Sequence, residues 1–232
     1  MSWFLFLFVL SSSPSTDFIS QVTSEYKQGR ISAHELVILR DKAARAPHTL
    51  PPQYQKLLSD RPLSGRSLTA LLVENFQLAR QKGVKLDYSF PLEMAFHIDS
   101  DTYPLRIYYN LESQASQAQT LLAYAEDAWQ REIIEWGFYE PPIVTPEGRY
   151  RVYLGDAQGA AGFTAPIGTY DDTEWDDCVT YIVIEQEMRE WMMYDTMAHE
   201  LNHATQAAMD CMEPTAFWEN TAVFIETALS NH

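Results

Sequence analysis

Apolar residues recur at helical spacing in two segments near the start of the chain. The first helix is predicted to begin at Ser32, because the glutamate three residues later completes a capping box, in which each side chain accepts a hydrogen bond from the other residue's backbone N–H. Pro47 ends that helix. The second is predicted to run from Ser67 to Gly83, since glycine is a common C-terminal cap. Residues 17–90 are therefore predicted to form a small helical segment.

Short runs of aromatic and branched residues follow, which is the pattern of strands. Residues 92–98 and 105–109 are predicted to pair, because the polar residues just after the first run have the composition of a turn. Further strands are predicted at 149–154 and 178–184. The last of these is apolar enough to lie in the middle of a sheet.

Two longer stretches are predicted to be helical. Residues 115–136 keep apolar side chains on one broad face until Gly137 stops the helix. Residues 191–209 contain no proline or glycine and are rich in Met, Ala and Leu, which favour helix. Because helices and strands are mixed along the chain, we predict an α+β fold, with residues 91–232 as its main domain.

Composition and charge narrow the classes of function. Hydrophobic residues make up 46% of the chain and aromatic residues 13%, which is the composition of a folded globular protein. The chain carries 16 basic and 32 acidic residues, a formal net charge of -16. Such a surface repels a phosphate backbone, so nucleic acid is excluded as a partner.

The first 15 residues resemble a secretory leader. An apolar block at 3–10 is followed by three serines, as in the apolar core and cleavage region of a signal peptide. We therefore predict that residues 1–15 are a signal peptide and that the protein is secreted or periplasmic; the alternative is a buried N-terminal strand. No stretch approaches the roughly 20 apolar residues of a membrane helix, so stable membrane insertion is not expected.

The segment His199-Glu200-Leu201-Asn202-His203 carries candidate chemistry within the helix predicted at 191–209. Four residues advance a helix by about 400° and about 6 Å, so both imidazoles face one side and can converge on one ion. Glu200 lies one position further round and can reach a water molecule at that ion. This is the arrangement that a hydrolytic zinc site needs.

A third ligand is expected from the apolar segment at 217–226. It contains two carboxylates seven positions apart, Glu219 and Glu226, which lie on one face if the segment is helical. A catalytic zinc usually has three protein ligands and one open position, and two histidines with one glutamate are a known set. Either glutamate satisfies that pattern.

The sequence HELNH followed by WENTA resembles the gluzincin metallopeptidases, in which HExxH precedes a helix that bears a glutamate ligand. In several branches that glutamate precedes Gly-x-Ala; here Glu219 precedes Asn-Thr-Ala, so Glu219 matches the ligand and Asn220 replaces the usual glycine. Other patches resemble a group of secreted bacterial gluzincin-like proteins. They lie at residues 29–32, 50–54, 136–138, 152–154 and 162–164.

The resemblance implies a zincin-like fold for residues 91–232, with a mixed sheet, an HExxH helix and a following helix that bears the glutamate. It also implies a Zn²⁺ cofactor held by His199, His203 and Glu219. A metal-activated water would hydrolyse peptide or protein substrates, with Glu200 as its general base. Residues 17–90 would then be a propeptide or an accessory segment. The alternative is a zinc-binding or peptide-binding module without turnover, and a third interpretation makes both histidines structural.

Other roles stay open at this level. Asp195 and Glu226 are candidates for hydrogen bonding to the ligand histidines. Related enzymes add a Tyr or His that stabilises the oxyanion, often after the glutamate helix, and because the sequence stops soon after Glu226 we expect a domain truncated at its C-terminus. The remaining candidates for that role are His97, Tyr170, Tyr194 and His232.

Three further features each allow two interpretations. Residues 160–164 form either an edge strand beside the cleft, where a peptide would add a strand, or an ordinary loop, which the nearby glycines and proline favour. The acidic run at 171–177 is a solvated loop or a calcium site, and its spacing matches no defined calcium loop. Cys178 and Cys211 either form a disulfide or remain buried thiols.

Overall fold

A mixed five-stranded sheet forms the centre of the molecule, and helices pack on both of its faces. The structure is a computed structural model that describes residues 14–58, 67–86, 90–91 and 94–229. The mixture of sheet and helices confirms the predicted α+β class. The predicted leader lies almost entirely outside the described residues, as does His232.

Among the described residues, four α-helices precede the sheet: α1 (Pro14–Lys27), α2 (Ala33–Arg45), the single turn α3 (Pro52–Gln55) and α4 (Leu68–Lys82). The predicted capping box is present at the start of α2, where the Glu35 N–H donates to Ser32 Oγ over 3.1 Å and the Ser32 N–H donates to Glu35 Oε2 over 2.8 Å. Ser67 caps α4, and Gly83 ends it in the left-handed region at φ 63°. Both predicted helices are thus confirmed, whereas α1 was not predicted.

The strands are β1 (Phe96–Asp99), β2 (Leu105–Tyr109), β3 (Tyr150–Gly155), β4 (Gly162–Thr169) and β5 (Cys178–Glu185). Their order in the sheet is β1-β2-β3-β5-β4. The pairs β2–β3 and β3–β5 are parallel, and the outer pairs β1–β2 and β4–β5 are antiparallel. The apolar strand β5 has a partner on each side, which confirms its predicted interior position.

Two strand predictions need correction. Of the strand expected at 92–98, the described residues Met94 and Ala95 lie outside β1, because Phe96 already pairs with Tyr109, the last residue of β2. Residues 92–93 lie outside the described part, and the Met94 side chain packs beside Gly155 instead. The loop favoured at 160–164 is wrong from Gly162 onward, where β4 begins. As an edge strand with a register shift after Pro166, β4 tolerates its proline and glycines.

Three helices complete the fold: α5 (Ala115–Trp129), which continues as a π-helix at Gln130–Glu135, α6 (Glu190–Ala207) and α7 (Thr215–Leu229). Helices α5 and α6 cover one face of the sheet and share its largest apolar cluster. Helix α7 packs along α6. The predicted helices are confirmed, apart from the change to π-helical hydrogen bonding in the last part of the first.

Helices α2 and α4 cover the opposite face of the sheet. Ala44 from α2 and Leu68 and Leu72 from α4 pack against side chains of β3, β4 and β5. Arg45 also donates to the Tyr181 hydroxyl over 2.6 Å and to the Pro166 carbonyl over 2.9 Å. Helices α2 and α4 therefore lie directly on the sheet, while the predicted domain boundary at residue 90 stays a prediction.

Cys178 and Cys211 form a disulfide, with Cα atoms 5.8 Å apart, which resolves that pair of alternatives. The acidic run is a solvated loop for Asp171, Asp172, Glu174 and Asp176, all of which are exposed. Among the described residues, these carboxylates do not form a group of three ligand atoms close enough together to hold a metal ion. Across the same residues, no helix combines the length and hydropathy needed to cross a bilayer.

Candidate metal centre

Helix α6 brings the two histidines of the motif together. His199 and His203 are one helical turn apart, and their Nε2 atoms lie 3.1 Å from each other. His203 is completely buried and stacks on the Trp218 ring at a centroid distance of 5.8 Å. His199 retains a little exposure at the cleft. The two rings therefore present nitrogen atoms to one shared point between α6 and α7.

Helix α7 contributes Glu219 to the same point. Its Oε2 lies 3.7 Å from His199 Nε2, and its Oε1 lies 3.5 Å from His203 Nε2. Ligand atoms bound tetrahedrally at about 2.1 Å from an ion are separated by about 3.4 Å, so these spacings fit a shared cation. Glu219 Oε1 is buried and has no hydrogen-bond partner among the described residues. The group could hold a metal ion.

Glu226 takes a different position from Glu219. Its Oε2 lies 3.1 Å from Nδ1 of His199, the ring nitrogen that faces away from His203. A carboxylate on that nitrogen fixes the imidazole tautomer that leaves Nε2 free to bind a cation. Asp195, the other residue considered for this role, also lines the adjacent cleft.

Gln206 performs the corresponding role for His203 and was not predicted. Its Oε1 lies 2.8 Å from His203 Nδ1, while its Nε2 donates to the Trp218 carbonyl and the Thr221 hydroxyl. Because the amide nitrogen is committed to those acceptors, the amide oxygen must accept from Nδ1–H. The lone pair of Nε2 then faces Glu219. Only its spacing of three residues from His203 on a helix could have indicated this role.

Glu200 is held firmly beside the three ligand side chains. Its side chain is buried, with the residue 4% exposed, and Oε2 accepts hydrogen bonds from Thr69 over 3.0 Å and from Thr164 over 2.9 Å. No hydrogen bond to Oε1 is present among the described residues. This leaves one carboxylate oxygen for exchange of a proton with a molecule in the cleft.

A cleft of about 370 Å³ opens beside the ligand group. His199, Glu200 and Glu226 line its floor, and the segment from Ala160 to Gly162 at the start of β4 lines one side. Trp191 and Met192 add apolar surface from the first turn of α6. The site is therefore accessible from solvent along the outer strand of the sheet.

Burial and neighbouring carboxylates set the charges of the site. Burial lowers the pKa of His203. Burial also acts to lower the pKa of His199, but Glu219 and the other nearby carboxylates outweigh it and raise that pKa to about 9. For Glu219 the effect of burial is outweighed by the histidines, so its pKa is lowered. Three carboxyl groups around two imidazoles form an acidic site, which suits a cation.

The described oxyanion candidates lie away from the cleft. The Tyr194 hydroxyl donates to Asp127 over 2.6 Å, and burial together with that hydrogen bond raises its pKa. His97 is on β1, at the opposite edge of the sheet from β4. Tyr170 follows β4 and does not line the cleft. None of the three is brought to the ligand group.

A buried carboxyl group lies beneath the motif. Glu132, in the π-helical segment, is 0% exposed, and its Oε2 accepts from the Asn202 amide over 3.3 Å. Its Oε1 and the Asn202 Oδ1 have no partners among the described residues. Burial raises the pKa of Glu132 well above its ordinary value, so the neutral carboxylic acid is favoured.

Replacing Glu132 with glutamine should therefore stabilise the protein at neutral and alkaline pH. A carboxyl group whose pKa is raised by folding contributes its full stability at pH values below its pKa in the unfolded chain. That contribution is lost as the pH rises through its pKa in the folded protein. We expect Glu132→Gln to gain about 1–3 kcal/mol over wild type at pH 8 and little at pH 4. Urea denaturation of chelator-treated protein across this pH range measures the difference.

The exposed Glu135, on the same π-helical segment, supplies the control. Glu135→Gln removes the same charge without a buried carboxyl group, so its unfolding free energy should follow that of wild type at every pH. If the unfolding free energies of wild type and Glu132→Gln changed with pH in the same way, Glu132 would not be a neutral acid in the folded protein.

The site thus combines two imidazoles, the Glu219 carboxylate that faces both of them and a second, hydrogen-bonded carboxylate at one open cleft. No protein-family model, curated protein or solved structure matches the chain. Function is therefore inferred from the residues of the site, because a fold class alone does not specify an activity.

Proposed function

We propose that the protein is a zinc-dependent peptidase of the gluzincin kind, built on a zincin-like fold. In this proposal His199, His203 and Glu219 bind the metal, and Glu200 is the general base. The observation that carries it is the convergence of the three ligand atoms immediately beside a buried carboxylate that faces an open cleft.

The donor set favours zinc among the common biological cations. Calcium and magnesium prefer oxygen ligands, whereas two imidazole nitrogens with one carboxylate oxygen are a known set for catalytic zinc. Glu226 and Gln206 support this use, since each fixes the tautomer of one histidine. Zinc, when bound, supplies a Lewis acid that lowers the pKa of water and polarises a carbonyl group.

Glu200 would move the proton in the reaction. Its Oε1 accepts a proton from the attacking water and returns it to the leaving amine, which is the sequence required of a general base that becomes a general acid. The hydrogen bonds to Oε2 keep the carboxylate in place during both transfers. The protein therefore needs no side-chain nucleophile.

The cleft suits an extended peptide. The start of β4 lines it at the edge of the sheet, where a peptide can add a strand through main-chain hydrogen bonds. Trp191 and Met192 offer apolar contacts for a substrate side chain. An extracytoplasmic location is consistent with the Cys178–Cys211 disulfide, since such bonds persist in oxidising compartments.

A second candidate function is a zinc-binding or peptide-binding module without turnover. It is favoured by the position of Tyr194, His97 and Tyr170, none of which lines the cleft to stabilise an oxyanion. Asn220, in place of the usual glycine, is a further departure from the gluzincin pattern.

Metal removal and restoration test the proposal. We expect purified protein to contain about one zinc per chain and to cleave an unfolded protein substrate such as reduced casein, with chelation abolishing cleavage and added zinc restoring it. Bound metal is measured by elemental analysis and cleavage by the release of new amino termini. Stoichiometric zinc without cleavage would support the zinc-binding module, and a chain without zinc would overturn both the peptidase and the zinc-binding module.

A further inference from the structure

We propose that Thr69 of α4 is a positioning residue for Glu200, so that the helical segment before residue 90 is part of the working site and not a propeptide to be removed. This inference rests on the proposed peptidase function. The two residues are 131 positions apart in sequence, yet the Thr69 hydroxyl lies 3.0 Å from Glu200 Oε2.

The direction of the Thr69 hydrogen bond follows from its neighbours. Thr69 is 0% exposed, and its Oγ1 accepts a hydrogen bond from the Thr164 backbone N–H over 2.9 Å. The hydroxyl has one proton, and the acceptor that it contacts is Glu200 Oε2. Thr69 therefore links the backbone of β4 to the carboxylate of α6.

Thr164 does not replace this contact. Its single hydroxyl proton has two acceptors, the Glu200 backbone carbonyl at 2.8 Å and Glu200 Oε2 at 2.9 Å. The proton is divided between them, whereas Thr69 donates, among the described residues, to the carboxylate alone. Loss of Thr69 would leave Oε2 with a partial hydrogen bond.

Helix α4 is anchored firmly enough to act as a positioning element. Val73 and Phe76 pack in one buried cluster with the disulfide and with Trp218, the residue before the ligand Glu219. The Gln77 amide donates to the carbonyls of Cys211 and Glu213 over 3.0 and 2.8 Å. The same helix thus supports both the general base and the helix that carries the third ligand.

The isosteric variant Thr69→Val tests the role of the hydroxyl in the full chain. We expect its kcat to fall about 10- to 100-fold, because a misplaced catalytic group costs rate, while KM changes less than about twofold and zinc content is unchanged. Thr69→Ser keeps the donor and should restore kcat to within about threefold of wild type. Should Thr69→Val fail to fold, Thr69→Ala provides the same comparison.

The matched control is Asn75→Ala, which loosens the same helix elsewhere. Asn75 is buried and donates to the Val37 carbonyl of α2 over 3.1 Å, with no contact to Glu200. It should lower the unfolding free energy without lowering kcat. In a Glu200→Gln background, adding Thr69→Val should leave the residual rate unchanged, since both substitutions act through one carboxylate.

The outcomes separate this inference from the proposed function. If wild type cleaves peptides and Thr69→Val cleaves them at the same rate, the positioning role is overturned and the proposed function stands. A variant faster than wild type would also overturn it, because α4 would then restrain the site as an inhibitory segment does. A wild-type protein that binds zinc without cleaving peptides would overturn the proposed function and, with it, this inference.

Discussion

Glu200→Gln should lower kcat for peptide hydrolysis by about 10²- to 10⁴-fold while zinc remains bound. Glutamine has the shape of glutamate, and its amide oxygen can still accept from the Thr69 and Thr164 hydroxyls. It has no oxygen basic enough to take a proton from water. Initial rates on a fluorogenic peptide, with bound zinc measured in the same preparation, give the effect.

The control for that substitution is Glu190→Gln in the first turn of α6. Glu190 is exposed, and its substitution removes the same charge from the same helix, more than two turns before His199. Its rate should match wild type. Equal rates for wild type and Glu200→Gln would exclude the peptidase mechanism proposed for this carboxylate.

Glu219→Ala should abolish stoichiometric zinc binding, and Glu226→Ala should not. Glu219 offers both carboxylate oxygens to the two Nε2 atoms, at 3.7 and 3.5 Å, so its removal leaves two ligands. Glu226 contacts the other nitrogen of the His199 ring, Nδ1, at 3.1 Å. Its removal should weaken zinc affinity by about 10- to 100-fold, the usual cost of losing a partner of a ligand histidine. Competition with a chromogenic chelator measures both affinities.

Glu213→Ala serves as a control, because that carboxylate precedes α7 and contacts neither histidine ring. It should bind zinc as wild type does. If Glu226→Ala lost the metal while Glu219→Ala retained it, the two carboxylates would have exchanged roles on metal binding, and the ligand assignment would be wrong.

Local features of the fold were predictable because they depend on neighbours in sequence. The capping box at Ser32 and the left-handed Gly83 each need only a few adjacent residues to form. The register of His199 and His203 on one face follows from helix geometry alone. The same reasoning missed the π-helical end of α5, because the amphipathic pattern there is that of a regular α-helix.

Pairing partners decided the features that were mispredicted. The segment from Gly162 contains residues that disfavour strand, yet β5 offers it a full antiparallel ladder. Conversely, Met94 and Ala95 belong to a run of strand composition but stay outside β1, because β2 ends at the partner of Phe96. Strand formation depends on hydrogen bonds across the sheet, and sequence composition carries little information about them.

The sequence by itself determined the α+β class, the helix that carries the motif, and the chemical types assembled near it: two histidines, the glutamate between them and a following carboxylate. Helix periodicity left Glu219 and Glu226 open, because the two lie on one helix face, and the family resemblance favoured Glu219. Only the tertiary structure showed which ring nitrogen each of them reaches. Only the tertiary structure, too, brought Thr69 to Glu200. Helix periodicity reports which residues share a face, whereas a contact across 131 positions requires the packing of α4 against β4 and α6.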